Sequence, residues 1–322
     1  MRSCNPRLGR FDSGAAPLSQ QSFSLAPAVV ADAAAVTELV AALESSLYGE
    51  TTFSQGDLED EWSGLDLARD VRVVRDGQRV VGYAAMHDRG ELARGDGCVH
   101  PAACGRGIGK LVATWLEEDA SRRGARRIQN GVLERDVAGQ TLLGSLGYGA
   151  VRVFREMRIE LETPPPAPAW PNELRVLPFQ PDRDARGFHA AHQEAFADHW
   201  EHTPRDFESW SKSHLENERF DPSLWCVVRA GDEIAAGTIC TAETYGGGWV
   251  HSLFTRRPWR KQGVGMALLH DAFGRFWERG ERSIGLGVDA ESDTGAFRLY
   301  ERAGMTPALG WMTYEKELPD AA

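Results

Sequence analysis

An arginine and two glycines stand directly before an apolar run in the segment TRRPWRKQGVGMALL. Arg260, Gly263 and Gly265 lie where a strand predicted to end near Thr255 is followed by a helix. Glycines at a helix start let backbone N–H groups converge on an anion, which also interacts favourably with the positive end of the helix dipole. A diphosphate group fits such a loop, although a glycine pair alone is more typical of an ordinary strand-to-helix turn.

The same kind of loop occurs twice in the chain. CGRGIGKLVATWLEE, which begins at residue 104, is similar to RKQGVGMALLHDAF, which begins at residue 260. The offset from Gly107 to Gly263 is 156 residues, and the offset from Gly147 in SLGY to Gly304 in RAGM is 157 residues. Two landmarks at nearly the same offset indicate a duplicated domain.

Each half has the pattern of an α+β domain. In the first half, an alanine-rich helix capped by Asp32 precedes a hairpin around Asp76-Gly77, a turn pair that tolerates positive φ. In the second half, two helices precede a hairpin that turns at Gly231-Asp232. Both halves continue as strand, helix, strand, helix, strand. We therefore predict two tandem domains, each with a mixed, mostly antiparallel sheet flanked by helices.

A proline-rich segment, TPPPAPAWP, divides the chain nearly in half. Clustered prolines favour extended geometry and cannot continue a helix or a sheet ladder, so residues 163–171 are predicted to be a linker. The predicted domains are residues 25–162 and 172–322. Residues 1–24 contain charges and turn formers but no continuous apolar run, so we expect a disordered tail and not a signal peptide.

Composition argues against several classes of protein. The net charge of −11, with no block of Lys and Arg, does not suit nucleic acid as a partner. No run approaches the roughly 18 apolar residues that a membrane span needs. The five cysteines include no Cys-x-x-Cys pair, which favours reduced thiols in a cytoplasmic protein. We expect no metal, because His189, His192 and Glu194 lack a complete zinc-site spacing.

The loop and a second segment together resemble a known family. RKQGVG fits the Arg/Gln-x-x-Gly-x-Gly/Ala loop with which GNAT acetyltransferases bind acyl-coenzyme A. DTGAFRLYERAGM, residues 293–305, is similar to that family's Asn-x-x-Ala-x-x-Leu-Tyr-x-x-x-Gly-Phe segment. Both recur in register in the first half. The sequence thus resembles a tandem GNAT protein, an arrangement shared with mycothiol synthase-like two-domain acetyltransferases.

This resemblance implies acetyl-coenzyme A as cosubstrate and assigns roles in the second half. Tyr300 takes the position whose phenol protonates the departing thiolate, a transfer that works best between groups of similar basicity. An amphipathic core position is the alternative for this tyrosine. Asp293 occupies a place where the family often has Asn. The other implied cofactor-binding residues are Leu253, Thr255, Arg260, Lys261, Gln262, Gly263, Val264 and Gly265.

The first half retains the loop glycines but not the acid. Leu143 stands at the tyrosine position and Cys104 at the leading Arg/Gln position. We therefore predict that the C-terminal half is catalytic and that the N-terminal half is structural or binds coenzyme A silently. Cys104 is interpreted as a small buried thiol and not as a nucleophile. The residues that would bind coenzyme A in this half are Val99, Gly105, Arg106, Gly107, Ile108 and Gly109.

The sequence offers several candidates for the general base. An ammonium group must lose a proton before its nitrogen can attack a thioester. Related enzymes often have Glu at the position held here by Trp249. His251 lies two residues further on, and strand alternation predicts that it shares the face of Trp249 and Leu253. Glu243, Asp289 and a water relay are the alternatives.

The segment after the first helix of the second half falls where such folds cover the acceptor. Its candidate substrate-binding residues are Asp198, His199, Trp200 and His202. We predict an acetyl-coenzyme A-dependent N-acetyltransferase that acetylates a primary amine of a small molecule. The alternatives are a noncatalytic acyl-coenzyme A sensor and a GNAT-like transferase that uses another donor, such as aminoacyl-tRNA.

Overall fold

The computed structural model describes residues 23–171, 173–292 and 294–319. The strands in these ranges are β1 (Ser24–Pro27), β2 (Val71–Asp76), β3 (Arg79–Arg89), β4 (Leu92–Val99), β5 (Arg127–Leu133), β6 (Gly149–Glu160), β7 (Arg175–Pro178), β8 (Cys226–Ala230), β9 (Glu233–Thr244), β10 (Gly247–Thr255), β11 (Ser283–Asp289) and β12 (Thr306–Glu317). The α-helices are α1 (Ala33–Tyr48), α2 (Gln55–Trp62), α3 (Leu67–Asp70), α4 (Ile108–Arg122), α5 (Val137–Ser145), α6 (Pro181–Phe196), α7 (Phe207–Leu215), α8 (Val264–Glu278) and α9 (Ala296–Arg302). None of the helices in these ranges is long and apolar enough to cross a membrane. Of the predicted tail, residues 1–22 lie outside the described residues, and Ser24 already belongs to β1.

All twelve strands form one sheet, in the order β1-β2-β3-β4-β5-β12-β6-β11-β10-β9-β8-β7. Among the described strands, only β4 with β5 and β10 with β11 pair in parallel, and the other neighbours are antiparallel. The two predicted hairpins turn at Gly77 and Gly231, whose φ values of 61° and 60° lie in the left-handed region that glycine tolerates. The predicted α+β class with mixed, mostly antiparallel sheets is confirmed.

The two halves exchange their last strands at the centre of the sheet. β6, from the first half, pairs with β11 of the second half, with Met157 opposite Leu286. β12, from the second half, pairs with β5 of the first half, with Thr313 opposite Gly131. β6 and β12 also pair with each other. Each half therefore completes its sheet with a strand from the other, while the predicted boundary at residues 163–171 stays a prediction about folding units.

The helices that follow the two glycine loops start in the same way. Gly107 precedes α4 with φ 86°, and Gly263 precedes α8 with φ 85°. α8 buries a stripe of apolar residues spaced four apart, of which none is more than 1% exposed; the stripe comprises Val264, Leu268, Ala272 and Phe276. Burial of these side chains against β9 and β10 fixes the direction of the helix relative to the sheet.

Helix α1 forms where the sequence predicted it, but Asp32 does not cap it in the predicted way. The Asp32 carboxylate accepts a hydrogen bond from the Val29 backbone N–H at 3.1 Å and pairs with Arg75. It makes no hydrogen bond to the N–H groups of α1. The reason is a 3₁₀ turn over Val30–Asp32, which precedes α1 and takes the Asp32 side chain as its own partner.

A buried ion pair joins the halves on one side of the sheet. Asp57 of α2 is 1% exposed, and its Oδ1 accepts from Arg219 Nη1 at 2.7 Å. The same oxygen accepts from the Tyr245 backbone N–H at 3.2 Å, while Ser54 donates to Oδ2. Because a buried carboxylate needs compensating partners, these contacts fix α2 against the β9–β10 turn.

Candidate active site

The loop before α8 has the backbone of an anion site. Lys261 and Gly263 have φ values of 61° and 85°, and in the first half Gly105 and Gly107 match them at 76° and 86°. Left-handed residues at a helix start turn successive N–H groups towards one point. A Cβ added to Gly263 would meet no atom within 4 Å, so the space above the loop is open to a ligand.

Arg260 ties this loop to helix α6. Its guanidinium donates to the carbonyl oxygens of Thr255 at 3.0 Å and Ala195 at 2.9 Å. Asp198, predicted to bind substrate, pairs instead with Arg257 and lies 3.4 Å from Arg260. The structure therefore places Asp198 beside the predicted cofactor loop, and its position supports the loop arginines.

β10 and β11 pair over a short stretch and then diverge. Their parallel pairing consists of Gly248 with Ile284 and Trp249 with Gly285. On its other edge β10 stays paired with β9 as far as Thr255. Beyond Trp249, one edge of β10 therefore offers backbone groups to the cleft, including those of Leu253, which was predicted to bind the pantetheine arm. The Thr255 carbonyl already accepts from Arg260.

A β-bulge lies at His251, where the register of β10 against β9 shifts between Val250 and Ser252. The bulge puts Ser252 and Phe254 on the α6 side: Ser252 Oγ lies 3.1 Å from His192 Nε2, and the Phe254 ring lies 5.0 Å from Phe188. Leu253 lies between these two residues in the register, opposite Thr238, and so points to the other face, although it packs against both neighbouring apolar clusters. The predicted shared face of His251 and Leu253 is therefore wrong, because a bulge resets strand alternation.

His251 is exposed, and its Nε2 lies 2.8 Å from Thr241 Oγ1. Desolvation by the surrounding protein, with smaller effects of His214 and Arg219, lowers the pKa of His251 to about 4. The imidazole is therefore neutral at neutral pH and has a lone pair available for a proton. The other candidate bases are engaged elsewhere: Asp289 binds Arg152, and Glu243 lies at the exposed end of β9.

Tyr300 lies on α9 and is 8% exposed. Burial raises the pKa of its phenol to about 12, and the hydroxyl makes no hydrogen bond to another described residue. A phenol that stays protonated at neutral pH has the form a proton donor requires. The neighbouring Leu299 lies close to the loop, since a Cβ on Gly265 would meet its Cδ2 at 3.0 Å. Asp293 lies outside the described residues.

An aromatic group lies beside the paired strands β6 and β12. The Trp200 ring lies 6.2 Å from Phe154, which stacks on Trp311 at 5.6 Å. Arg152 lies over the Trp200 ring at 5.6 Å. Of the predicted substrate-binding residues, Trp200 alone joins this aromatic group; His199 packs on the Phe196 ring at 4.3 Å, and the His202 N–H donates to the His199 carbonyl.

The missed members of this group, Arg152 and Phe154, come from β6 of the first half. Alternation in GAVRVFREMRIE does place Arg152, Phe154, Glu156 and Arg158 on one face of a strand. That signal was readable in the sequence. Its partner strand was not, because register and pairing are set by the tertiary fold.

The first half has a similar cleft, but its strand geometry and side chains differ from those of the second half. β4 and β5 pair from Leu92 to Gly95 and then diverge. However, β4 pairs with β3 in unbroken register, so it has no bulge. Leu143, at the position matching Tyr300, belongs to the apolar core at 6% exposure.

Cys104 is exposed, so the predicted burial of its thiol is wrong: the residue lies in the loop before α4 and not beneath it. Arg106 is paired with Asp76 at 2.8 Å.

Two parallel strands that diverge beside a helix preceded by glycine leave a cleft between them. This arrangement defines an α+β acyltransferase fold. The chain belongs to the acetyltransferase (GNAT) family, whose pattern matches residues 36–148 and 185–305. That family uses acetyl-coenzyme A. The two matched regions make this chain a tandem GNAT acetyltransferase.

Individual relatives agree with this assignment. The chain is 32% identical over 253 residues to the mycothiol acetyltransferase of Thermobispora bispora, which covers 73% of this chain and 79% of that protein. A crystal structure of a GCN5-related N-acetyltransferase from Sphaerobacter thermophilus is similar with TM-score 0.83 and 33% identity, over 95% of this chain and 98% of that one. A tandem GNAT protein from the clavulanic acid biosynthesis pathway shares the fold, with TM-score 0.74 and 17% identity over 94% and 100% of the two chains.

Proposed function

We propose that the C-terminal half transfers an acetyl group from acetyl-coenzyme A to a primary amine of a small molecule. One observation carries this proposal: the two clefts differ in strand geometry and in the side chain at the position of Tyr300. The second half has the bulge at His251 and the protonated phenol of Tyr300. The first half has an unbroken β4 and the apolar Leu143 at the matching positions.

The residues of the second half fit the cosubstrate. Acetyl-coenzyme A supplies an activated acetyl group as a thioester. The N–H groups from Lys261 to Gly265 would hold its diphosphate, because the left-handed residues and the helix start favour negative charge there. The free edge of β10 beyond Trp249 would hydrogen-bond the pantetheine arm, with Leu253 central to it.

Two proton transfers accompany the reaction. The ammonium of the acceptor must lose a proton, and the neutral His251 imidazole is our proposed recipient. The departing sulfur must gain a proton, and the Tyr300 phenol is our proposed donor. A backbone N–H near Leu253 would stabilise the oxyanion that forms between these steps.

For the first half, we propose binding of coenzyme A without turnover. Its loop from Gly105 to Gly109 repeats the left-handed backbone of the second loop, so an anion could bind there. A noncatalytic sensor is the contrasting proposal for the whole chain, and it predicts binding in both halves with turnover in neither.

Similarity to mycothiol acetyltransferase supports a narrower proposal for the acceptor. The name of that relative connects acetyl transfer with mycothiol, so mycothiol without its acetyl group is the first amine to test. Trp249 stands where related enzymes often have Glu, so deprotonation of the amine in this chain must rely on another group.

The test is release of free thiol from acetyl-coenzyme A with a panel of amines: desacetyl mycothiol, glucosamine, spermidine, an aminoglycoside and an amino acid. Amine-dependent release is expected for wild type, with kcat lowered about 100-fold in Tyr300→Phe because general acid catalysis is lost. Leu143→Met, at the matching position of the other half, is the control and should retain full activity. If only the Leu143 variant fails, the halves are reversed. If acetyl-coenzyme A binds and no amine promotes release, the sensor proposal replaces ours.

A further inference from the structure

A carboxylate that the roles above do not use lies beside the cleft of the second half. Glu156 of β6 stands opposite Gly287 of β11 and is 13% exposed at its side chain. β11 is the strand that diverges from β10, and Gly287 lies two residues past its last paired residue, Gly285. Glu156 therefore borders the stretch of β11 at which the cleft opens.

The side chain of Glu156 is on the same face of the sheet as the candidate base, His251. Glu156 binds Arg158 at 2.5 Å, and the Arg158 guanidinium lies 5.7 Å from the centre of the Trp249 ring. Trp249 is paired across the sheet with Thr241, whose hydroxyl contacts His251. Side chains of cross-strand partners lie on one face, so Glu156, Trp249 and His251 share it.

Gly287, which has no side chain, leaves space between Glu156 and the cleft. A Cβ added to Gly287 would meet only the Trp311 ring, at 3.6 Å. β11 thus presents bare backbone between the Glu156 carboxylate and the diverging strands. The aromatic rings of Phe154 and Trp311 stand next to this opening, as in many sites that bind small molecules.

The charge near Glu156 favours a cation. Glu44, from α1 of the first half, is half-buried, and its Oε2 accepts from Thr51 Oγ1 at 2.5 Å. Burial raises the pKa of Glu44, and the nearby Glu156 charge raises it further. The Arg158 guanidinium, which pairs with Glu156, acts on the Glu44 pKa in the opposite direction through its charge, so this cation faces two carboxylates. An ammonium group placed here would balance the excess negative charge.

The first half lacks this carboxylate at the corresponding position. Gly131 corresponds to Gly287 at the repeat offset of 156 residues, and it stands opposite Thr313 of β12. Thr313 corresponds to Glu156 at the offset of 157 residues. The carboxylate thus accompanies the half that has Tyr300 and the bulge, and a hydroxyl replaces it in the other half.

We propose that Glu156 binds the ammonium group of the acceptor and so selects amines for the C-terminal site. This inference rests on the proposed acetyl transfer and names the residue that recognises its second substrate. The recognising strand belongs to the first half of the sequence, so the half without the catalytic phenol supplies part of the acceptor site.

The kinetic test compares Glu156→Gln with wild type, using the best amine of the panel. Glu156→Gln keeps the shape and the acceptor oxygen that binds Arg158 but removes the charge. KM for the amine is expected to rise at least tenfold, with KM for acetyl-coenzyme A within twofold of wild type. Thr313→Val, the matched control, should change neither value. An unchanged KM for the amine, or equal rises in both KM values, overturns the proposal.

A binding test separates this proposal from the proposed function. Glucosamine and glucose differ by one ammonium group, and their binding to the protein can be titrated by calorimetry without turnover. Wild type and Thr313→Val are expected to bind glucosamine at least tenfold more tightly than glucose, and Glu156→Gln should lose this preference. If the preference depends on Glu156 while no amine promotes thiol release, the site stands and acetyl transfer fails. Equal binding of the two sugars by wild type, or a preference that survives in Glu156→Gln, overturns the site.

Discussion

Arg152 on the exchanged strand β6 holds Asp289 at the end of β11 through paired hydrogen bonds. Arg152 Nε lies 3.0 Å from Oδ1 and Nη2 lies 2.7 Å from Oδ2, with both side chains largely buried. Arg152→Met removes the guanidinium and leaves the carboxylate without its main partner. We expect the free energy of unfolding, measured in urea, to fall by about 2 kcal/mol.

A double-mutant cycle with Asp289→Asn checks that the pair itself is responsible. Residues that share a charged hydrogen bond should show a coupling energy above about 0.5 kcal/mol. If the two substitutions are additive, the loss in Arg152→Met arises from its packing on Trp200 and not from the ion pair.

Exchange of β6 and β12 predicts that the halves fold together. Residues 23–162 and 172–319, produced separately, each lack one strand of their own sheet. We expect neither fragment to show a cooperative urea transition, whereas the intact chain unfolds in one transition and an equimolar mixture of fragments regains native near-ultraviolet circular dichroism. Two separate transitions in the intact chain would contradict this prediction.

Alanine at the two loop glycines measures coenzyme A binding in each half. Gly263→Ala forces a residue with a Cβ into the left-handed region, which costs about 1 kcal/mol, while the space around it is open. We expect affinity for acetyl-coenzyme A in the second half to fall about fivefold, as judged by calorimetry. Gly107→Ala is the matched variant. If the first half binds coenzyme A, the wild-type titration should show a second binding event. Gly107→Ala should weaken that event.

The pH dependence of turnover tests His251 as the base. Its pKa of about 4 means that the imidazole accepts a proton above that pH and is already protonated below it. The contribution of His251 to kcat/KM for the amine should therefore persist as pH falls to about 5 and disappear as pH falls through 4. His251→Gln should lower kcat by about 100-fold at neutral pH.

Thr241→Val is the control for that experiment, because it removes the hydroxyl that contacts His251 and keeps the imidazole. An unchanged kcat in His251→Gln would leave the water relay as the route for the proton. An inflection near pH 6.5 that vanishes in His251→Gln would contradict the lowering of the His251 pKa by desolvation.

Features encoded in a few adjacent residues were predictable. The hairpins at Gly77 and Gly231 and the helix starts after Gly107 and Gly263 follow from local backbone requirements, and the structure has all four. The repeat offsets also gave the tandem arrangement, since they depend on the sequence alone.

Features that depend on a distant partner were not predictable. Between the paired positions Val250 and Ser252, β10 has one residue more than β9, and this extra residue, His251, forms the bulge. Nothing in WVHSLFT marks it. Asp198 has the residue type expected of an amine-binding group, yet its carboxylate forms an ion pair with Arg257. Likewise, the alternation of β6 shows a strand but not that its neighbour lies more than 120 residues away.

The position of β12 has a consequence for how the protein is made. Residues 306–317 are the last strand described, yet they insert between β5 and β6 in the middle of the sheet. On the ribosome, one edge of β5 in the nascent N-terminal half therefore stays without its native partner until β12 has been translated. Such an edge can recruit strands from other molecules. Translation of β12 thus closes the sheet and removes this exposed edge.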